Sequence, residues 1–219
     1  MLWYVLSAAA AYLLGSLSFG IIFSKAKYKK DIRDFGSNNA GASNTLRTFG
    51  KGAAAFVFLF DALKGAAAVL LARVLLCGGA NAQLCAYLAM LFAVLGHMFP
   101  VFFGFRGGKG VATTCGTLAA LQPITLPVVL AAFLIVLAFG KMISLASVVS
   151  SVLLPFATCF MYRLQGEPAL VPTVATTILA LLIVFMHREN LRRIVRGEER
   201  KLGEDKVDPN AEDQKEGLK

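Results

Sequence analysis

Residues 36–47 are rich in glycine, serine and asparagine, end in an arginine, and lie between two apolar segments. Small residues let backbone N–H groups come close to a ligand and point towards it together. Ser37 and Ser43 add hydroxyl groups, and Arg47 adds a planar cation suited to phosphate. This density of small polar residues favours a phosphate-binding loop over a flexible linker.

A second glycine-rich cationic turn occupies residues 104–110, where Gly107, Gly108, Lys109 and Gly110 precede an apolar segment. A helix that begins at Val111 would attract an anion through its unpaired N–H groups and its dipole. The turn is not a Walker A loop, because no Ser or Thr follows the lysine. The alternative is a tight interfacial turn with anchoring cations.

Two further pairs of polar residues occur at three-residue spacing, which places each pair on one face of a helix. Ser144 and Ser147 begin an apolar segment and could bind substrate, or cap the helix and bond a neighbouring helix. His187 and Asn190 end the last apolar segment. They could bind hydroxyl or phosphate groups, or simply be interfacial polar residues.

Three ionisable residues lie inside apolar segments, where charges are costly and are usually paired or functional. Asp61 and Lys64 are spaced for an internal ion pair. His97 precedes Pro100, and a helix-stabilising role is as consistent with this position as a catalytic one.

Several familiar catalytic patterns are absent from the sequence. Neither histidine is followed by the HxxxxD box of many acyltransferases, and there is no GxSxG nucleophile elbow. No aspartate cluster suggests metal-dependent chemistry, so neither a metal nor a cofactor is expected. The pattern is one of phosphate ligands without a nucleophile and base.

The composition indicates an all-α membrane protein. Of the 219 residues, 57% are hydrophobic, and the mean hydropathy is +0.67; both values are high for a soluble protein. We predict one bundle of seven transmembrane helices, several of them short, at 2–23, 53–76, 82–103, 111–122, 124–140, 144–162 and 169–186. A kinked helix through Pro123 and Pro127 would reduce the count to six.

The distribution of basic residues predicts the orientation in the membrane. The net charge of +9 does not indicate nucleic-acid binding, because the cations flank apolar segments. Of the 22 lysines and arginines, 19 fall in residues 24–52, in 104–110, at Lys141 or from 187 onward, and the opposite loops contain only Arg163. The positive-inside rule then places the N-terminus outside and the C-terminus in the cytoplasm, and favours seven spans.

The sequence also supports a prediction for each end of the chain. Residues 1–23 lack a basic start and are long enough to span, so we expect a retained helix and not a signal peptide. Residues 1–196 are predicted to form the membrane domain. The charged segment 197–219 is predicted to be a disordered cytoplasmic tail.

Four segments of the chain resemble the bacterial acyl-phosphate:glycerol-3-phosphate acyltransferase family. The family patterns are GSGNPGATNxxR, D-x-x-KG, GHxFPxFxxFKGGKG and HRxNixR. They are matched in this order by residues 36–47, 61–65, 96–110 and 187–192, and a Gly-Glu-Glu-Arg-Lys stretch follows at 197–201. The four matches are spread over nearly the whole chain.

The first loop departs from the family pattern. Asn38 replaces a glycine, Ala40 replaces the proline, and Ser43 stands where threonine is usual. Arg106 replaces a lysine in the second turn. Asparagine tolerates left-handed backbone geometry better than most residues, so we expect the shape of the first loop to survive.

The resemblance implies transfer of an acyl group from acyl phosphate to the 1-hydroxyl of glycerol 3-phosphate, without a covalent enzyme intermediate. It implies a bacterial inner-membrane enzyme that uses two small substrates and membrane lipid and is coupled to an enzyme producing acyl phosphate. The implied catalytic residues are Arg47, Lys109, Ser147 and His187. The implied substrate-binding residues are Ser37, Gly41, Ser43, Asn44, Gly107, Gly108, Ser144 and Asn190.

A different class of function, a membrane transporter for an anionic or phosphorylated solute, is also consistent with glycine-rich turns and short spans. A transporter needs polar ligands near the membrane midplane with access from both faces. Here the candidate ligands are predicted to lie on one side, which favours the enzyme.

Overall fold

The computed structural model describes residues 1–76 and 82–204 and is all-helical over them. Short 3₁₀ turns lie at Ile32–Asp34 and Val101–Phe103, and a π-helical turn at Ala72–Leu76. The α-helices within the described residues are α1 Leu2–Gly15, α2 Phe19–Tyr28, α3 Ala42–Phe49, α4 Lys51–Leu71, α5 Ala82–Met98, α6 Val111–Leu121, α7 Thr125–Gly140, α8 Ile143–Leu164, α9 Leu170–Met186 and α10 Arg188–Val195.

Four helical stretches in this part of the chain are long and apolar enough to cross a membrane: Leu2–Tyr28, Lys51–Val74, Ala82–Phe103 and Ile143–Leu164. Helices α9 and α10 together form a fifth if their 58° bend is counted within one span. Helices α6 and α7 are apolar but shorter. The protein is therefore an integral membrane protein built from helices.

The first predicted span is broken. Instead of one helix over 2–23, the chain forms α1 and α2, separated by an extended residue at Ser18. Helix α1 crosses α5 at very short range, because a Cβ added at Gly15 would lie 2.1 Å from the Ala93 carbonyl oxygen and one at Gly96 would lie 2.2 Å from that of Tyr12. Small residues allow such close approach of membrane helices.

Helices α4 and α6 are in similarly close contact. A Cβ at Gly65 would lie 2.4 Å from the Thr113 carbonyl oxygen, and one at Gly116 would lie 1.8 Å from that of Ala62. This contact holds the first residues of α6, and hence the turn before them, against the middle of α4.

Helix α5 is central to the largest apolar cluster. Its residues Met90, Val94 and Met98 are fully buried and pack with Leu179 and Ile183 of α9. The last turn of α5 leads directly into the glycine-rich turn at 104–110, so that turn starts from one of the best-packed parts of the molecule.

The predicted segments 111–122 and 124–140 are two helices and not one kinked helix. Helix α6 ends at Leu121, and α7 begins at Thr125. Gln122 lies in the break, where its side chain donates to the Tyr87 hydroxyl (3.1 Å) and accepts from the Thr158 hydroxyl (3.0 Å). These hydrogen bonds satisfy a polar side chain buried among apolar helices.

The contact between α4 and α6 predicts that Gly116→Ala destabilises the protein, by about 1–3 kcal/mol as for other overpacked sites. Gly52→Ala is the matched control, since Gly52 lies in α4 with no atom within 4 Å of its added Cβ. Alanine there is expected to be neutral or to stabilise the helix by up to about 1 kcal/mol.

The melting temperatures of the two purified variants in detergent, compared with the unaltered protein, test this prediction. Equal melting temperatures for Gly116→Ala and Gly52→Ala would contradict the close α4–α6 contact.

Candidate active site

A cavity of about 440 Å³ lies between the ends of α3, α6, α8 and α9. Ten of the twelve predicted site residues line it, although the sequence places them in segments up to 150 residues apart. They are Ser37, Gly41, Ser43, Asn44, Arg47, Lys109, Ser144, Ser147, His187 and Asn190. Gly107 and Gly108 are the two that do not line it.

The first loop is organised by Asn44, which differs from the expected role of a substrate ligand. The Asn44 side chain accepts a hydrogen bond from the Ser37 N–H (2.9 Å) and donates to the carbonyl oxygens of Ile32, Phe35 and Asn39 at 2.9–3.0 Å. It is only 1% exposed. Its hydrogen-bonding groups are therefore used within the loop, which they hold in shape.

The departure of this loop from the family pattern is accommodated as expected. Asn38 has a φ of +54°, in the left-handed region that asparagine tolerates better than most residues. Its side-chain amide also donates to the Arg33 carbonyl oxygen at 2.9 Å.

Helix α3 begins at Ala42, so the second half of the predicted loop 36–47 is helical, and its first turn contributes polar groups to the cavity. The Gly41 N–H is already used, since it donates to Asn39 Oδ1 at 3.0 Å. The following N–H groups of Ala42 and Ser43 belong to the first helical turn, where the helix itself supplies no acceptor. Arg47 lies one turn after Ser43, on the same face of the helix.

The Arg47 guanidinium has neither a hydrogen bond nor an ion pair with any residue in the described part of the chain, although it is half-buried. A half-buried cation without a counter-charge is poorly solvated. An anion bound in the cavity would supply the missing partner, and a guanidinium is well suited to phosphate oxygens.

In the second turn, Gly107 and Gly108 differ from the expectation of phosphate-binding N–H groups. The Gly107 N–H donates to the Met98 carbonyl oxygen (3.2 Å), and the Gly108 N–H to that of His97 (3.1 Å). A Cβ at either position would lie 2.0 Å from an atom of His97. Glycine is therefore required here for the close return of the chain onto the end of α5.

Lys109 follows these glycines and enters the cavity. Gly110, with a φ of +85°, then turns the chain into α6. The Lys109 ammonium donates to the side-chain oxygen of Asn190. Burial, together with the nearby charge of Arg193, lowers the pKa of Lys109 to about 8.

A carboxylate that the sequence analysis did not single out lies behind the cavity lining and hydrogen-bonds two of its polar side chains. Glu199 is 6% exposed and accepts hydrogen bonds from Ser144 (2.7 Å), Asn190 (2.7 Å) and Arg193 (2.8 Å). Burial alone would raise the pKa of Glu199, but these three donors lower it below its ordinary value. Glu199 thereby fixes two of the predicted ligands.

The position of Glu199 also changes the expectation for the charged tail. Within residues 197–204, which are otherwise exposed, Glu199 is buried and the Leu202 N–H donates to the Lys141 carbonyl oxygen at 2.6 Å. Residues 205–219 lie outside the described residues, so the prediction of disorder stays a prediction there.

Ser147 and His187 line the cavity with part of their hydrogen-bonding capacity still open. The Ser147 hydroxyl donates to the Ile143 carbonyl oxygen (2.8 Å), which leaves its lone pairs to accept. Nδ1 of His187 lies 2.8 Å from the Ile183 carbonyl oxygen. Because a carbonyl can only accept, Nδ1 carries a proton, and Nε2 of the neutral ring is an acceptor.

Arg33, a second residue that the sequence analysis did not single out, links the two turns. Its guanidinium donates to the carbonyl oxygens of Phe103 (2.7 Å) and Arg106 (3.2 Å) in the second turn. Asp31 holds it from the other side through a two-point ion pair with distances of 2.9 and 3.0 Å. The guanidinium and the Lys25 ammonium lower the pKa of Asp31 despite its partial burial.

One side of the cavity is apolar. Its lining side chains are Phe58, Phe133, Leu137, Ile143 and Leu202. The cavity thus offers the start of α3 with Arg47, the Lys109 ammonium of the second turn, neutral hydrogen-bonding groups, and an apolar wall. This combination suits a phosphorylated molecule that also carries a hydrocarbon chain.

Comparison with known proteins assigns the chain to a family. The family model for glycerol-3-phosphate acyltransferase matches residues 5–197. The chain belongs to this family. A glycerol-3-phosphate acyltransferase of Neisseria meningitidis serogroup C is 45% identical over 201 residues, which is 90% of this chain and 96% of that protein. One from Clostridioides difficile is 41% identical, covering 93% and 97%.

Solved structures of this acyltransferase family share the fold. The glycerol 3-phosphate form of PlsY (YgiH), an integral membrane glycerol 3-phosphate acyltransferase, has a TM-score of 0.81 and 34% identity, covering 91% of this chain and 96% of that chain. Its lysophosphatidic acid form has a TM-score of 0.77 and 32% identity, covering 90% and 94%.

For this acyltransferase, sequence reasoning missed Glu199 and Arg33. Glu199 lies in the stretch 197–201 that resembles the family. An acidic residue among many cations could have indicated that this carboxylate pairs with one of them. Arg33 carried no comparable signal, because its partners are backbone carbonyl oxygens about 70 residues away.

Proposed function

We propose that the protein transfers an acyl group from acyl phosphate to the 1-hydroxyl of glycerol 3-phosphate, forming lysophosphatidic acid and inorganic phosphate. The observation that carries this proposal is that Arg47 at the start of α3, Lys109 of the second turn and an apolar wall line one cavity. Family membership supports the acceptor, and the resemblance of residues 36–47 and 96–110 to acyl-phosphate-dependent enzymes supports the donor.

The donor phosphate is proposed to bind at the start of α3. Arg47 would neutralise the phosphate, and the hydroxyls of Ser37 and Ser43 would form hydrogen bonds with it. The first N–H groups of α3 would donate further hydrogen bonds to its oxygens. Support comes from the lack of a direct ion pair or hydrogen bond for Arg47 among the described residues, where Glu199 acts on it only at longer range. The acyl chain would then lie along the apolar wall.

The acceptor, glycerol 3-phosphate, is proposed to bind across the cavity from the donor phosphate, at the second turn. Lys109 would pair with the phosphate of glycerol 3-phosphate as a compact point charge. Asn190 and His187 would hold its hydroxyl groups, with Ser147 or Ser144 beside them. Support comes from the convergence of these side chains on the cavity and from the Lys109–Asn190 contact.

The chemistry proposed for this site relies on positioning and charge. The acceptor oxygen attacks the acyl carbon, the carbon–oxygen bond to phosphate breaks, and the proton of the hydroxyl passes to an oxygen of the departing phosphate. Acyl phosphate is already activated, so neither a protein base nor a covalent intermediate is needed. Arg47 would stabilise the charge that develops on the leaving group.

We propose that the protein crosses the bacterial inner membrane seven times, with its N-terminus outside and its cavity facing the cytoplasm. Residues 1–196 would form the membrane domain, and α6 and α7 would supply the two short crossings. The clustering of 19 of the 22 basic residues on one predicted side supports this orientation. We also propose coupling to an enzyme that produces acyl phosphate, because this donor is reactive in water.

The reaction is tested by giving purified protein palmitoyl phosphate with and without glycerol 3-phosphate. Phosphate release that depends on the acceptor and equals the lysophosphatidic acid formed is expected. Arg47→Ala and Lys109→Ala should each reduce turnover by about 100-fold or more, as expected for lost charge stabilisation, whereas Cys115→Ala and Cys159→Ala should have little effect.

Near-normal activity of Lys109→Ala would contradict the proposed acceptor site. No phosphate release and no product from well-folded protein would overturn the enzyme assignment and favour a transporter.

The lowered pKa of Lys109 predicts a pH dependence. Lys109 is protonated below its pKa of about 8, so kcat/KM for glycerol 3-phosphate should be constant below that value. It should fall roughly tenfold per pH unit above it, since the deprotonated amine no longer attracts the phosphate. Lys109→Arg keeps its charge to much higher pH and should lack this fall.

If kcat/KM for glycerol 3-phosphate falls at high pH in the same way in the wild type and in Lys109→Arg, the titrating group is not Lys109.

The orientation is tested with single cysteines in an otherwise cysteine-free protein. Glu167 and Glu198 are both exposed and lie on opposite predicted faces. A membrane-impermeant maleimide should label Glu167→Cys in intact spheroplasts and label Glu198→Cys only after permeabilisation. The reverse pattern would overturn the proposed orientation.

A further inference from the structure

Lys64 is 5% exposed in the middle of α4, and its ammonium is surrounded by acceptors from three parts of the chain. Nζ lies 2.7 Å from Asp61 Oδ1, 2.6 Å from the Leu17 carbonyl oxygen and 3.0 Å from Nδ1 of His97. The Leu17 and His97 contacts are hydrogen bonds, whereas Asp61 forms an ion pair with Nζ and neither of its oxygens accepts a hydrogen bond from the described residues. The proposed reaction uses none of these residues.

The arrangement fixes the state of His97. Because the ammonium can only donate, Nδ1 of His97 accepts, and the ring proton lies on Nε2. The histidine is then neutral, and the single negative charge of Asp61 balances that of Lys64. A balanced ion pair with further hydrogen bonds is the form in which charges are tolerated among membrane helices.

The contact with Leu17 gives a physical reason for the break between α1 and α2. Carbonyl groups beyond the end of α1 have no partner within that helix, and an unpaired carbonyl among membrane helices is costly. Lys64 satisfies that of Leu17. It also lies at the negative end of the α1 dipole, which favours a cation.

His97 connects this cluster to the second turn of the active site. Its carbonyl oxygen accepts from the Gly108 N–H at 3.1 Å. Its imidazole lies so close to Gly108 that a Cβ there would be 2.0 Å from Nε2. A change in the position of His97 therefore shifts Gly108, and Lys109 is the next residue.

We propose that Lys64, with Asp61 and His97, is a positioning cluster that holds the turn at 107–110 so that Lys109 points at the acceptor phosphate. The proposal rests on the proposed function. Asp61 and His97 border the cavity, whereas Lys64 is not among its lining residues. Lys64 therefore reaches the substrate only through its neighbours, whereas any substitution of Asp61 or His97 also alters the cavity lining.

The test must avoid leaving one charge buried without its partner, since that alone destabilises a protein strongly. Asp61→Leu/Lys64→Met removes both charges and fills the space with apolar side chains. Asp61→Asn/Lys64→Gln also removes both charges but leaves amide donors for Leu17 and His97. If the hydrogen bonds to Leu17 and His97 position the turn, the amide variant should recover the glycerol 3-phosphate binding that the apolar variant loses.

For each variant, kcat, the KM for glycerol 3-phosphate, the KM for palmitoyl phosphate and the melting temperature are measured on purified protein. The apolar pair is expected to raise the KM for glycerol 3-phosphate about tenfold or more, because small displacements of binding groups have effects of this size. The KM for palmitoyl phosphate should change less than about threefold, and the amide pair should recover most of the loss.

Tyr87→Phe is the matched control. Tyr87 is a buried residue of the same helix as His97, about 15 Å away along it, and its hydroxyl bonds Tyr162 and Gln122. Its loss should lower the melting temperature without changing the KM for glycerol 3-phosphate. If the Lys64 cluster has a purely structural role, its double variants will also show a lower melting temperature and an unchanged KM for glycerol 3-phosphate, even where kcat is lower. That result would overturn the proposal.

His97→Asn provides a second test should the double variants fail to fold. Asparagine keeps an acceptor for Lys64 but lacks the imidazole that contacts Gly108, so the KM for glycerol 3-phosphate should rise. An unchanged KM would overturn the proposal. If the wild type shows no turnover, the proposed reaction itself is refuted. The positioning proposal is then tested by comparing the calorimetric Kd for glycerol 3-phosphate between the wild type and the variants.

Discussion

Polar groups buried among membrane helices need partners, and this constraint shapes most of the active site. Leaving a buried donor or acceptor unpaired costs about 1–3 kcal/mol. Asn44 satisfies three carbonyl oxygens of the first loop, Arg33 satisfies two in the second turn, and Lys64 satisfies the one at the break in the first span. These three side chains give rigid shape to segments that have little regular structure.

The same constraint favours an anionic ligand. Glu199 accepts hydrogen bonds from Ser144, Asn190 and Arg193 and forms no direct ion pair with Arg47. Lys109 contacts only the neutral oxygen of Asn190 among the described residues. Two cations with no direct carboxylate partner thus lie in one partly apolar cavity, which fits two phosphate-bearing substrates meeting there.

The sequence predicted the helices and most of the cavity, because apolar runs and glycine-rich turns are local signals. Ten of the twelve predicted site residues line one cavity. The roles of Gly107, Gly108 and Asn44 were not predictable from spacing, because they depend on which distant carbonyl oxygens receive each N–H. The break at Ser18 and the position of Glu199 likewise follow from tertiary contacts, with Lys64 and with Ser144.

The central claim is that two cations in one cavity bind two different phosphates. Calorimetric titration of glycerol 3-phosphate, without acyl donor, into the wild type, Lys109→Ala and Arg47→Ala tests it most directly. Lys109→Ala is expected to lose measurable binding, whereas Arg47→Ala should retain an affinity within about threefold of the wild type. Equal loss in both variants, or unchanged binding by Lys109→Ala, would contradict it.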